Sequence, residues 1–188
     1  MASLSSSDLF TGQLLRLAAQ LPEDRTACAA WSTDSEFLRL LDSSQARPRR
    51  PDFFAQPDHK TEWRYFDFAL RTLADDKLIG FVELEVDWPN QASMVGIGIG
   101  ERDYRGKGYG PDALRLLLGY AFRELNLYRV GLNVFSYNTR AIRAYEKVGF
   151  IREGTLRAAL FRDGQRYDMV YMGVLRPDWF AQMGLDDE

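Results

Sequence analysis

A chain of 188 residues, 46% hydrophobic and 27% charged, is long enough for one well-buried core and short for two domains. Its formal net charge of −3 disfavours a general nucleic-acid-binding face but says nothing against a local positive site. Cys28 is the sole cysteine and His59 the sole histidine, so an internal disulfide and a thiolate metal cluster are excluded, a histidine-based triad is disfavoured, and no metal is expected.

Residues 1–8 are polar, with neither the basic end nor the apolar core of a signal peptide, and read as a tail. No apolar run approaches the roughly 18 residues of a membrane span, so the expected setting is cytoplasmic, with no membrane partner. One domain is expected over 9–180, followed by a second tail, 181–188. Within it, Gly12–Leu17 predicts a first strand. Pro22-Glu23-Asp24 opens a short helix, with proline and acids in the first turn. Thr33-Asp34-Ser35-Glu36 has the form of a capping box leading into Phe37–Leu41. From Asp42 to Lys60 there is no clear period and three of the seven prolines, which predicts a loop with room for a short helical turn. Its Arg47, Arg49 and Arg50 form either a solvated cluster or an anion-attracting one.

Three strands follow, Trp63–Leu73, Leu78–Trp88 and Ala92–Ile99, and their short turns imply antiparallel neighbours. In the second, Val82, Leu84, Val86 and Trp88 alternate with Glu83, Glu85 and Asp87. Between 96 and 110 fall six glycines, Gly96, Gly98, Gly100, Gly106, Gly108 and Gly110. A loop so rich in glycine at a helix start can turn its N–H groups toward an anion such as phosphate. The helix it opens carries one apolar stripe, Leu114, Leu117, Leu118, Ala121, Phe122 and Leu125. Tyr128–Phe135 is a strand reached through that helix and therefore parallel to the one before it. Asn138 is an N-cap for a helix to Val148 that Gly149 ends, and Asp163-Gly164 joins two last strands, Thr155–Phe161 and Tyr167–Leu175. The fold class is α/β (α+β), with a mixed, mostly antiparallel sheet and helices on both faces.

Two familiar phosphate loops are ruled out by spacing. A Walker loop needs four residues between its glycines and a hydroxyl after the lysine, whereas five separate Gly100 from Gly106 and Gly108 follows Lys107. In the dinucleotide fingerprint the third glycine would fall on Pro111. What remains is Arg105-x-x-Gly108-x-Gly110 at a helix start, or a tight turn with no ligand.

Tyr104-Arg105-Gly106-Lys107-Gly108-Tyr109-Gly110, with Asn138-x-x-Ala141-x-x-x-Tyr145-x-Lys147-x-Gly149-Phe150 downstream, resembles the GNAT superfamily of acyl-CoA N-acyltransferases. Within it, Phe10-Thr11-Gly12-x-Leu14-x-Arg16-Leu17 and the closing Asp168 with Tyr171-Met172 are similar to the branch of ribosomal-protein alanine and spermidine acetyltransferases. The resemblance implies acetyl-CoA as co-substrate, with its pyrophosphate on the backbone of Arg105, Gly106, Lys107, Gly108, Tyr109 and Gly110. It further implies that the pantetheine arm lies along Ile97, Gly98 and Ile99, in a gap where this strand splays from Arg129–Phe135. The glycines alternating with isoleucines there suggest either a bare face that leaves room for the arm and acyl group, or close packing. Asn138 would contact the arm, cap its helix, or both.

Tyr145 shares a helix face with Asn138 and by resemblance is the general acid toward the departing thiolate, the alternative being an aromatic packing role. Many relatives carry a carboxylate in the strand before the loop, and Met94–Ile99 has none. Glu83 and Glu85 are then the nearest candidate bases, or a solvated sheet face, with His59 a weaker candidate. The acceptor would be a peptide α-amine or a small amine such as a polyamine or aminoglycoside. A homodimer is expected from the family alone. The competing class is a non-catalytic acyl-CoA-binding regulatory module of the same fold.

Overall fold

The alternation and helical stripes resolve into one seven-stranded sheet in the computed structural model, which describes residues 8–55 and 64–185. The strands are β1 (Leu15–Ala18), β2 (Tyr65–Thr72), β3 (Leu78–Asp87), β4 (Ala92–Ile99), β5 (Arg129–Phe135), β6 (Ile151–Arg162) and β7 (Gln165–Leu175). They lie in the order β1-β2-β3-β4-β5-β7-β6. Every neighbouring pair is antiparallel except β4 with β5. The helices are α1 (Asp24–Trp31), α2 (Ser35–Leu41), α3 (Tyr109–Gly119), α4 (Thr139–Lys147) and α5 (Arg176–Met183). A π turn continues α3 through Tyr120–Glu124.

The α3 stripe makes the core. Leu114, Leu117, Leu118, Ala121 and Phe122 are fully buried in one cluster with Val82, Leu84 and Val86 of β3 and Val130, Leu132 and Val134 of β5. On the opposite face of the sheet, the rings of Trp31 (α1) and Phe37 (α2) lie over Gly100 and Gly98. Helices therefore cover both faces. Asp112, in the first turn of α3, is buried and accepts from the N–H groups of Gln13 (3.2 Å), Leu14 (2.8 Å) and Leu15 (3.3 Å), which ties the edge strand β1 to α3. Asp163 and Gly164 both take positive φ, 49° and 74°, the geometry that matches the twist of a two-residue hairpin.

The pairing of β4 with β5 is short. Only Ala92↔Arg129, Ser93↔Val130 and Met94↔Gly131 are in register, after which the two strands part. The antiparallel β3–β4 ladder, by contrast, runs from Asp87↔Ala92 to Gly80↔Ile99. The far edge of β4 from Val95 onward is consequently left without a strand neighbour.

Four details differ from what periodicity predicts. The cap of α2 is Asp34, one residue after Thr33, its carboxylate accepting from Phe37 N at 3.2 Å, while the Thr33 hydroxyl donates to Ala30 O at the end of α1. Trp88 leaves the strand for a 3₁₀ turn opened by Pro89 and is 40% exposed, so it does not join the buried row of β3. The first strand starts at Leu15 rather than Gly12. Helix α5, with Trp179 and Phe180 buried, is an element that the sequence reading left out. The expected loop contributes a 3₁₀ turn, Pro51–Phe54. Residues 1–7, His59, Lys60 and Trp63 lie outside the described residues.

Candidate active site

Where β4 and β5 part, a cleft of about 780 Å³ opens. It is lined by β4 from Val95 to Ile99, by Gly106, Gly108 and Gly110, by Asn133–Phe135 of β5 and by one face of α4. Gly106 and Gly108 have φ of +77° and +94°, conformations that an L side chain rarely adopts. A Cβ on Gly106 or Gly110 would meet nothing within 4 Å. No side chain caps the N-terminus of α3, so its first amides and the positive end of its dipole are left for a ligand. These are the physical requirements of a phosphate cradle.

The side chains of this loop are employed otherwise. The Arg105 guanidinium donates to Ile99 O (2.9 Å), Gly100 O (2.6 Å) and Asp34 Oδ2 (2.9 Å), and its side chain is only 9% exposed. It fastens the end of β4 to the start of α2 and stacks over Phe37, at 5.0 Å from the ring centre. Arg105 thus shapes the loop, and any contact with phosphate falls to backbone. Lys107 is exposed and Tyr109 half-buried against Tyr104 at 5.2 Å, and neither lines the cleft.

The glycines of β4 have a different use. A Cβ on Gly96 would meet Glu83 Oε1 at 2.5 Å, and one on Gly98 would meet both Phe37 and Phe81 at 3.0 Å. On Gly100 it would enter the Trp31 ring. The expectation of a bare face is corrected: the missing side chains seat partners from β3, α1 and α2. Ile97, Gly98 and Ile99 still line the cleft, along the unpaired strand edge.

Asn138 and Tyr145, seven residues apart, share the α4 face that borders the cleft. Asn138 caps the helix, its Oδ1 accepting from Ala141 N at 3.2 Å. The Tyr145 ring packs on Phe150 with centres 6.0 Å apart, and burial alone pushes its phenol up to about 12. Glu83 lines the cleft with its side chain exposed there, opposite Gly96 on one side and Asp67 on the other. Its carboxyl is raised above the ordinary range by burial, and further by the negative charges of Asp67 and Glu85. Glu85 is placed elsewhere: it receives Arg64 Nη2 at 2.5 Å and the Tyr65 hydroxyl at 3.2 Å, and it does not line the cleft.

A family model described as an acetyltransferase (GNAT) domain matches residues 15–151. The chain belongs to the GNAT acetyltransferase family. It is 30% identical over 179 residues to the uncharacterized N-acetyltransferase YokL of a Bacillus subtilis prophage, covering 93% of this chain and 97% of the relative. It is 34% identical over 104 residues to the spermidine N(1)-acetyltransferase of Vibrio cholerae, covering 55% of this chain and 60% of that one. The solved structure of spermidine N-acetyltransferase from Vibrio cholerae, in complex with CoA and spermine, superposes with a TM-score of 0.79 at 25% identity, covering 88% of this chain and 98% of that one.

Two groups of residues in this GNAT domain, Lys147 apart, lie outside the motifs. Arg140, Arg143 and Lys147 follow one another at helical spacing on α4 and border the cleft beside Asn138 and Tyr145. Their period was visible in the sequence, but only the fold shows that this face meets the cleft. At the other mouth stand Phe37, Leu40, Leu41, Asp42 and Phe81, from α2 and β3. The end of α2 is held there from a distance, since Arg39 O accepts from the Tyr137 hydroxyl at 2.5 Å and from Arg162 Nη1 at 2.6 Å. No local signal in the sequence announces those long-range contacts.

Proposed function

We propose that this protein is an acetyl-CoA-dependent N-acetyltransferase that acts on a primary amine, by direct attack within a ternary complex. The observation that carries the reading is the divergence of β4 from β5 after three residue pairs, which sets an unpaired strand edge between the glycine cradle and the Tyr145 phenol. An extended, amide-containing arm can satisfy such an edge as an added strand would. Acetyl-CoA would supply the acyl group as a thioester. Its phosphates fit the amides of Gly106, Gly108 and Gly110, with Arg140, Arg143 and Lys147 of α4 adding positive charge to the cleft.

Glu83 acts on the acceptor. A primary amine with a pKa near that of lysine, ~10.4, is almost wholly protonated at neutral pH and cannot attack. Glu83 attracts the ammonium and takes its proton, directly or through water, and its raised pKa brings it nearer to the operating range of a base. The β4 edge orients the carbonyl, and its free N–H groups polarise it.

Tyr145 acts on the departing sulfur. A phenol at about 12 keeps its proton across the working range. Because a thiol near ~8.5 is the stronger acid, Tyr145 stabilises the leaving thiolate chiefly as a hydrogen-bond donor. Two roles are then separate, a base on the β3 side of the cleft and a donor on α4.

The test is CoA release by the purified protein with acetyl-CoA and a panel of amines, polyamines, aminoglycosides and short peptides. Tyr145→Phe should lower turnover by ~10²-fold while leaving CoA affinity, read by calorimetry, within about twofold. CoA binding with no amine acetylated by the intact protein would favour the regulatory module instead, and absence of CoA binding would defeat both.

A further inference from the structure

Beside the acceptor mouth lies a second cavity, of about 270 Å³, under α1 and α2. It shares three walls with the main cleft, Phe37, Leu41 and Phe81. The rings of Phe37 and Phe81 converge over Gly98, so a partition of two aromatic side chains separates the cavity from the strand edge. Behind it the lining is largely apolar, including Leu38, Phe54, Ala69 and Leu78. A dry cavity of ~150 Å³ elsewhere is known to take up benzene, so this space suffices for a ring with a short linker.

The carboxylates nearby define where an ammonium can sit. Of the carboxylates around this mouth, Asp24 is paired with Arg71 at 2.6 Å in a buried bridge. Glu85, outside the cleft, is held by Arg64, while Asp42, on the cleft wall, accepts from Ser44 N at 3.1 Å and keeps its charge. Arg25 adds positive charge to the wall of the second cavity. Glu83, with Asp67 as its cross-strand neighbour, is left to receive the amine. A linear polyamine has no apolar group for the second cavity, and an ammonium placed there would be desolvated.

Building on the N-acetyltransferase reading, we propose that the acceptor is a primary amine bearing a single ring-sized apolar group, its nitrogen at Glu83 and its apolar group behind Phe37 and Phe81 in the 270 Å³ cavity. The same chemistry occurs in a free arylalkylamine and in a peptide with a hydrophobic first residue.

The experiment compares kcat/KM for ethylamine, phenethylamine, spermidine and the peptide Phe-Ala-Ala at saturating acetyl-CoA. Phenethylamine or the peptide should exceed both ethylamine and spermidine by ~10–100-fold, the size of effect that an apolar pocket provides. Which of the two is better identifies the source. Cys28→Phe, which fills the cavity from α1 without touching the cleft, should shrink that preference to under about threefold and leave ethylamine turnover unchanged. Should it not fold, Leu38→Ala enlarges the same cavity and should move the preference toward naphthylethylamine. Spermidine used as well as or better than phenethylamine, with ethylamine still acetylated, overturns this inference and leaves the acetyltransferase reading standing. Acetyl-CoA binding without acetylation of any amine overturns both.

Discussion

Two runs of glycine, side by side in the sequence, are used in opposite ways. In β4 and at the residue just after it each missing Cβ is a seat already taken, by Glu83 over Gly96, by Phe37 and Phe81 over Gly98 and by Trp31 over Gly100. In the loop that follows, Gly106 and Gly110 face open space, and Gly106 and Gly108 hold backbone conformations closed to most residues. The first set lets the sheet and helices approach each other; the second keeps a surface clear for a ligand. Substitution to alanine should therefore pull stability and binding apart, in opposite directions on the two sides of Glu101.

The largest effect is expected at the packed end. Gly100→Ala forces a methyl group into the Trp31 ring, whose indole N–H is anchored to Glu101 at 2.9 Å and cannot easily retreat. Urea denaturation should show a loss of ~3 kcal/mol, at the upper end for overpacking. Next comes Glu83→Gln, with a fall in kcat of ~10²-fold or more. Since the folded state raises this carboxyl, the fold favours its protonated form, and ionisation costs stability as pH rises through the raised pKa. The glutamine variant should accordingly melt at a higher temperature than the parent at pH 8 and lose the acid limb of the pH–rate profile. An unchanged acid limb would remove Glu83 from the reaction.

Gly96→Ala is milder. The atom it meets is the flexible end of Glu83, so the fold should survive while the displaced carboxylate costs ~10-fold in kcat/KM, about 1.4 kcal/mol. Smallest in stability is Gly110→Ala, inside the first turn of α3 with nothing near its Cβ. Thermal melts should show a gain of ~0.5–1 kcal/mol from helix propensity, alongside weaker CoA binding by calorimetry. A Gly110→Ala protein that binds CoA normally would place the pyrophosphate elsewhere.

Periodicity carried much of the architecture because its signals are local. The stripe of α3, the alternation in β3, the Asn138 cap and the Asp163-Gly164 turn each depend on neighbours within a few residues. What escaped depended on residues far apart in the chain. That Glu85 belongs to Arg64 and Tyr65 follows from the β2–β3 register and the chain just before it; that Arg105 turns inward follows from Asp34, distant in sequence. Alternating glycines look the same whether their missing side chains leave a hollow or make room for a partner, and only packing distinguishes the two. Helix α5 offered eight residues beginning Arg176-Pro177, too short for a stripe to declare itself.

The three-pair junction of β4 with β5 has a mechanical consequence. The sheet is effectively two panels, β1–β4 and β5–β7–β6, hinged along a short seam and otherwise held by the helices packed across it. A molecule that hydrogen-bonds to the open edge of one panel while resting on α4 beside the other acts as a rivet. Its binding energy then adds to the stability of the whole, by ~2.7 kcal/mol at a concentration of 100 Kd. The cleft between the panels is thus where the sheet has little cross-linking of its own, and where a ligand has most to add.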